Sequence, residues 1–386
     1  MTTLGVFFTR GVSLKKWLDG GLLDREVTIY RQHLLNGALT RVFWFTYGAD
    51  DDCFAEILKD AGRLPPEIDV VPCPRWILKL GRSASALYSL LMPFVIGSQI
   101  RRCDLLKTNQ MDGALAAVVA SRLYGRPLFV RTGYTLSRIV AEVFPGNPLR
   151  LGTAWLTERL AFQLSARASV SSQYDLEYVT RKYGLGGRLP VVIGNFVDTA
   201  AFAPAGAGRR NRAIFVGRLS PEKNLGMAIK ACRQCGIGLD IIGKGTERQR
   251  LEGIAQEVGA DVAWLGVLAN DELPQHLNRC RFFILPSLWE GMPKALLEGM
   301  ACGLVCIGNN ATGINEIIED GVTGYLSAGP LAADLAEAIQ RAMHGDYESV
   351  SAAARHYIDS HFSLAAIAGM EASIFAEMVQ ARVQQL

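Results

Sequence analysis

Short, nearly uninterrupted apolar runs alternate with longer stretches of helical periodicity along the whole chain. In the first half the runs are GVFFT (5–9), RVFWFT (41–46), IDVVP (68–72), DLLKT (104–108), PLFVRT (127–132), ASVSS (168–172) and PVVIGN (190–195). In the second half they are AIFVG (213–217), LDIIG (239–243), VAWLG (262–266), RFFILP (281–286) and LVCIG (304–308). Strands apolar on both sides, separated by stretches such as GALAAVVASRLYG, predict parallel sheets with helices on both faces, an α/β fold.

A chain of 386 residues exceeds one typical core, so two domains are expected. The periodicity fails at AFAPAGAGRRNR (201–212), which is rich in Ala, Gly and Pro and then basic. This stretch is read as a linker between domains at 1–200 and 201–365, and the helical pattern of 366–386 is free to pack back on the first. In doubly wound sheets ligands sit beyond the carboxyl ends of the strands, so the chemistry is sought in the strand-to-helix loops.

Composition narrows the class. A hydrophobic share of 49% and a charged share of 20% exclude disordered, collagenous and coiled-coil chains. The eight cysteines mostly occupy apolar runs and no signal peptide precedes them, so a reducing, cytosolic compartment is expected. Cys232 and Cys235 have C-x-x-C spacing without a second pair and read as packing residues. Residues 1–200 hold 24 Lys+Arg against 17 Asp+Glu, whereas 201–386 hold 16 against 20, which suggests different partners for the two halves.

The longest uncharged run, ASALYSLLMPFVIGSQI (84–100), is short for a spanning helix and contains Pro93 and Gly97. No stretch is expected to cross a bilayer. The run suits a buried helix, or, because Arg75, Trp76, Lys79, Arg82, Arg101, Arg102 and Lys107 flank it, a face resting on anionic lipid.

Three loops carry candidate chemistry. In FVGRLSPEKNLG (215–226), Arg218 and Lys223 follow a strand around Gly217 and Pro221, at the start of a helix. Two cations so placed repel unless an anion joins them, and a diphosphate suits the planar fork, the point charge and the helix amino end together. Gly243-x-Gly245 permits close backbone approach to a ligand but lacks the third glycine of a dinucleotide fingerprint. In LPSLWEGMPKALLEGMACG (285–303), Pro293 opens a helix, and Gly291 and Met292 offer N–H groups at its start. Glu290 and Glu298 bracket that start with carboxylates suited to sugar hydroxyls. The Asp-x-Asp of ADDDCF (49–54) is read as a helix cap rather than a metal site.

These residues resemble those of glycosyltransferase family 4, the retaining group 1 enzymes of the GT-B fold. The resemblance rests on Glu-x7-Glu at 290 and 298, on FVGRLSPEKNLGMAIKA, on GNFVDTAAFAP (194–204) and on TGINEIIEDGVTGYL (312–326). These stretches occur in the family's order from about 168 to 326.

The resemblance implies two Rossmann-like domains facing across a cleft, with the donor site in the second. Arg218 and Lys223 would hold the nucleotide diphosphate, Glu290 the donor sugar and Glu298 the ribose. Gly217, Gly243, Gly245, Gly291, Met292, Pro293 and Lys294 would add backbone or side-chain contacts, and Gly11 in TRGVSL would close over the diphosphate. It implies no cofactor beyond the donor substrate and no metal, because protein cations do its work. The basic first half, with an apolar segment framed by arginines, fits a lipid-linked saccharide acceptor at the inner membrane face, as in cell-surface polysaccharide synthesis. Nucleic acid is not an expected partner.

One position departs from the family. The histidine common after the strand PLFVRT is absent, and Arg131, Gly133 and Tyr134 stand there. Asn109, Gln110 and Asp112, beyond another strand, are the remaining acceptor-side candidates. Alternatives in view of that departure are a sugar-nucleotide epimerase or phosphorylase of the same fold, or an inactive donor-binding homologue.

Overall fold

In the computed structural model, which describes residues 2–384 except 80, 82, 83, 134, 186, 188 and 207, the apolar runs form two parallel sheets. The first contains β1 (Thr3–Phe7), β2 (Arg41–Phe45), β3 (Ile68–Val71), β4 (Leu105–Thr108), β5 (Leu128–Arg131), β6 (Arg167–Val170) and β7 (Val191–Val192), ordered β3-β2-β1-β4-β5-β6-β7. The second contains β8 (Arg210–Val216), β9 (Gly238–Ile242), β10 (Val262–Gly266), β11 (Cys280–Leu285), β12 (Val305–Asn309) and β13 (Tyr325–Ser327), ordered β10-β9-β8-β11-β12-β13. Both orders reverse beside the first strand of their sheet, the switch point of a doubly wound fold.

Contacts divide the chain into Met1–Ile193 with Ala368–Leu386, and Gly194–Ile367. The division falls ahead of the stretch read as a linker, and the reason is local. Val197 donates its N–H to the Phe362 carbonyl (2.8 Å) and accepts from Leu364 (2.9 Å), while Arg355 donates to the Phe202 carbonyl (2.8 Å). Residues 194–202 are thereby bound into the second unit. The basic end of that stretch is not linker either: Arg210–Arg212 open β8, where Asp240 on β9 pairs with Arg212 at 2.8 Å and Arg210 at 3.4 Å.

The first unit has an aromatic core in which Trp44 meets Phe8, Trp17 and Tyr30. In the second, Phe215, Phe282 and Phe283 are fully enclosed between the helix layers. The eight cysteines are free; burial pushes the Cys232 thiol up to about 12, as befits a packing residue.

Two membrane expectations change. The Leu364–Val383 helix is long and apolar enough to cross a bilayer by length and composition. Yet its Glu371 is enclosed in the first unit, paired with Lys107 and His33, and its Phe375 packs edge-on to Phe129. The 84–100 run is not one buried helix. It forms the Ala84–Val95 and Gly97–Arg101 helices, and Leu87, Leu90, Phe94 and Val95 stand exposed. Lys107 is buried and so cannot meet lipid, and Arg82 lies outside the described residues.

Candidate functional site

The loop after β8 turns sharply through a single helical turn at Pro221–Lys223 before the Leu225–Gln234 helix begins. Asn224 makes the turn possible. It is the only non-glycine among the described residues with positive φ (52°), and its side-chain amide donates to the Pro330 carbonyl at 2.9 Å. Lys223 is thereby aimed at the loop after β11, where its Nζ lies 2.6 Å from Glu290 Oε1. The hydroxyl of Ser287 donates to the same oxygen, also at 2.6 Å.

Arg218 stays outside this pair. Its side chain is 82% exposed, with Nη2 3.7 Å from Glu222 Oε1. Burial pushes the Glu222 carboxyl up, but the Ser220 hydroxyl, Arg218 and Lys223 outweigh it and hold the group below the usual carboxylate range. Each cation therefore has a carboxylate beside it. Glu222 and Glu290 supply counter-charge to the two cations.

The glycines of the next loop pack closely on the β8 loop. A Cβ on Gly243 (φ +143°) would lie 1.8 Å from the Gly217 carbonyl oxygen, and one on Gly245 2.1 Å from that of Leu219. The backbone they approach closely belongs to the neighbouring loop. Gly217 donates to Ile242 and Leu219 to Lys244, both at 3.0 Å, so the glycines let the β9 loop brace the segment carrying Arg218.

The 286–294 loop is held from three sides. Leu288 N–H donates to the Glu222 carbonyl at 2.9 Å and Glu290 N–H to that of Thr312 at 3.0 Å. The Asn195 side chain donates to the Met292 carbonyl at 3.0 Å. Gly313 (φ +79°) lies so close beneath Glu290 and Gly291 that a Cβ would come within 2.4 Å of the Gly291 oxygen. Pro293 caps the Lys294–Ala301 helix, Lys294 Nζ is 3.4 Å from Glu298 Oε1, and Glu298 is buried. Gly291 is exposed, with open space about it.

In the first unit, the loops after β1, β4 and β5 are tied into one patch. Arg10, next to Gly11 (φ +72°), donates its N–H to the Asp112 carbonyl (2.9 Å) and pairs with the Asp112 carboxylate (3.1 Å). Burial raises the Asp112 carboxyl, and Arg10 opposes that shift. Arg131 donates to the Asn109 carbonyl at 3.4 Å, and Gly133 N–H to Gln110 Oε1 at 2.8 Å. Asn109, Gln110, Asp112, Arg131 and Gly133 thus share one end of the sheet, and Tyr134 lies outside the described residues. The Asp-x-Asp segment opens the Asp51–Asp60 helix, but Asp50 makes no side-chain cap. It pairs with Arg75 at 2.7 Å, and Asp51 accepts from Leu14 N–H at 2.8 Å.

Residues 198–357 match the family model described as glycosyl transferases group 1. This part of the chain is a group 1 glycosyltransferase domain. The chain is 28% identical over 270 residues to the Escherichia coli UDP-Gal:alpha-D-GlcNAc-diphosphoundecaprenol alpha-1,3-galactosyltransferase, covering 65% of this chain and 67% of that one. It is 36% identical over 167 residues to the amylovoran biosynthesis glycosyltransferase AmsK of Erwinia amylovora, covering 39% of this chain and 41% of that protein. In fold it is similar to Anabaena Alr3699/HepE, solved in complex with UDP: TM-score 0.73, 20% identity, 98% of this chain and 100% of that chain covered. The two parallel-sheet units are those of the GT-B fold.

Within the glycosyltransferase domain, sequence reasoning passed over Ser287, Glu222 and Asn309. Ser287 stands three residues before Glu290 and is fully buried, a weak signal beside a proline. Asn309 donates to the Pro286 and Ser287 carbonyls at 2.5 and 3.2 Å and fixes the loop's origin. Nothing in the spacing marks it, because the contact joins the ends of two neighbouring strands.

Proposed function

We propose that this chain transfers a hexose-type sugar, with retention at the anomeric carbon, from a nucleoside-diphosphate sugar to a lipid-linked saccharide in cell-surface polysaccharide synthesis. The observation that carries the reading is the Lys223–Glu290 pair, set beyond the carboxyl ends of β8 and β11 in a group 1 glycosyltransferase domain. The name of the Escherichia coli relative, a UDP-galactose donor with a diphosphoundecaprenol-linked acceptor, supports the substrate classes, and AmsK supports the polysaccharide setting.

In this reading Arg218 and Lys223 stabilise negative charge as it grows on the departing diphosphate. Such cations favour the transition state over the ground state and cost no reorganisation when already in place. Glu290, oriented by Lys223 and Ser287, accepts hydrogen bonds from donor-sugar hydroxyls, and Glu298 from the ribose. Backbone N–H groups at 291–294 complete the sugar and phosphate contacts, and the patch at Asn109, Gln110, Asp112, Arg131 and Gly133 is assigned to the acceptor. Protein cations supply the charge stabilisation, so turnover proceeds in EDTA.

The acceptor assignment draws support from an apolar face on the first unit. Leu87, Leu90 and Phe94 form one stripe of the Ala84–Val95 helix, and Leu115, Val119 and Leu123 one stripe of the Ala114–Tyr124 helix packed against it. Arg101 and Arg102 lie beyond one end. The protein is proposed to rest on anionic lipid at the cytoplasmic face by this surface. The test is incubation of purified protein with radiolabelled nucleotide sugars and a polyprenyl-diphosphate saccharide. Label entering the lipid phase supports transfer; donor altered without acceptor would instead indicate an epimerase, and donor bound but unchanged an inactive homologue.

A further inference from the structure

At the opposite end of the first sheet from the acceptor-side patch, around the amino ends of β5 and β6, lies a cavity of about 600 Å³. That volume falls within the roughly 300–1,000 Å³ of small-molecule sites. Arg122, Arg126, Arg167 and Arg382 line it, together with Ser165 and one carboxylate, Glu377. We propose that this cavity is a second anion site, binding a phosphate-bearing ligand independently of the donor site.

The fold puts these charges together on purpose-built supports. Gly125 (φ +60°) ends the Ala114–Tyr124 helix in a left-handed turn, and Ser121 fixes that turn through the Arg126 carbonyl at 2.6 Å. Arg126 itself donates to the Arg101 carbonyl, Arg122 to that of Leu164 at 3.4 Å and Arg382 to that of Asp104 at 3.3 Å. These carbonyls orient the guanidinium groups, and Asp104 lies near Arg126. Arg167 alone pairs with Glu377, at 3.0 Å.

Two buried polar atoms lack any partner. Arg126 Nε makes no hydrogen bond, and neither does the hydroxyl of Ser165, a residue only 4% exposed. A buried polar group left unpaired is costly, and both residues line this cavity. Among the lining residues four guanidinium forks face one carboxylate, which favours a dianion over a monocarboxylate, and the planar fork matches phosphate oxygens bidentately. Burial and the nearby Arg382 lower the Arg126 guanidinium from its ordinary value, and Asp104 only partly opposes them.

The ligand's source is either a phospholipid headgroup or a soluble phosphate compound. The experiment measures binding of inorganic phosphate and pyrophosphate to the full chain by calorimetry, with the double variant Arg126→Ala/Arg382→Ala and with Lys223→Ala. The expected result is two binding events in the wild type, one weakened by about tenfold or more in the double variant and kept in Lys223→Ala, the other weakened only in Lys223→Ala. Two unchanged events in a folded double variant, or loss of both in Lys223→Ala, overturn the proposal. Should the double variant melt without cooperativity, Arg122→Glu, an exposed rim position, must weaken phosphate binding; unaltered affinity there is equally fatal. Flotation with phosphatidylglycerol vesicles separates the sources: loss in Arg122→Glu assigns a headgroup, and full flotation with lost phosphate binding assigns a soluble ligand.

Discussion

Lys107 on β4 and Glu371 in the C-terminal helix form a salt bridge wholly inside the first unit, with Nζ 2.6 and 2.7 Å from the two carboxylate oxygens. His33 Nε2 lies 3.0 Å from the same carboxylate, and the Lys107 ammonium also faces the rings of Tyr30, Phe129 and Phe375. Desolvating such a pair costs much of what its attraction returns, so its two single variants and its joint replacement should behave differently. Lys107→Ala or Glu371→Ala is expected to destabilise the unit by about 3–5 kcal/mol, whereas Lys107→Met/Glu371→Met stays close to wild type. Denaturant melts of the four proteins measure this, and equal losses in single and double variants would refute it.

The same carboxylate sets an acid limb. Burial pushes Glu371 up, but Lys107 and His33 outweigh burial and hold it far below its ordinary value. A folded-state value below the unfolded one gives stability that is complete above about pH 4–5 and drains away as pH falls below it. Melts from pH 7 to 3 should show this loss in the wild type and a flatter profile in the double methionine variant.

Lys223→Ala should lower turnover by about 10²-fold or more, since charge-assisted hydrogen bonds are each worth about 1.5–3 kcal/mol. Arg218→Ala, at a solvated position, should cost activity with almost no change in melting temperature. Wild-type rates in either folded variant would remove that residue from the mechanism.

Glycines at two places should respond oppositely to alanine. Gly243→Ala sets a Cβ against the Gly217 carbonyl in a backbone conformation alanine rarely adopts, so severe destabilisation and lost donor binding are expected. Gly253, inside the Arg248–Val258 helix with open space around it, should gain about 0.5–1 kcal/mol as alanine. Thermal melts of both variants decide the contrast.

Leu90 and Phe94 are 67% and 63% exposed on the apolar stripe. Glutamate at both should abolish flotation on anionic vesicles while leaving the melting temperature unchanged. Undiminished flotation would mean that this face is not what meets lipid.

The sheets were legible because their strands are apolar on both sides, and every run singled out lies on a strand. What escaped was structure resting on few residues or on distant contacts. The three-residue β13 begins within TGYL and ends one residue beyond it, too short to show alternation, and Arg210–Arg212 looked like linker because their partners, Asp240 and Asp261, sit on other segments. Lys223, Glu290 and Glu298 stood out from their neighbours by type and spacing. The Lys223–Glu290 bond did not, since it joins residues brought together only when β8 and β11 pair. Nor could periodicity reveal that Gly243 packs against the Gly217 carbonyl.

Three cations of the candidate donor site sit beside acidic partners: Arg218 by Glu222, Lys223 by Glu290, Lys294 by Glu298. Seen from beyond a Debye length, such a surface is nearly neutral and exerts little pull on an approaching polyanion. Encounter is then governed by ordinary diffusion and selection by contact, so the association rate should change little with ionic strength.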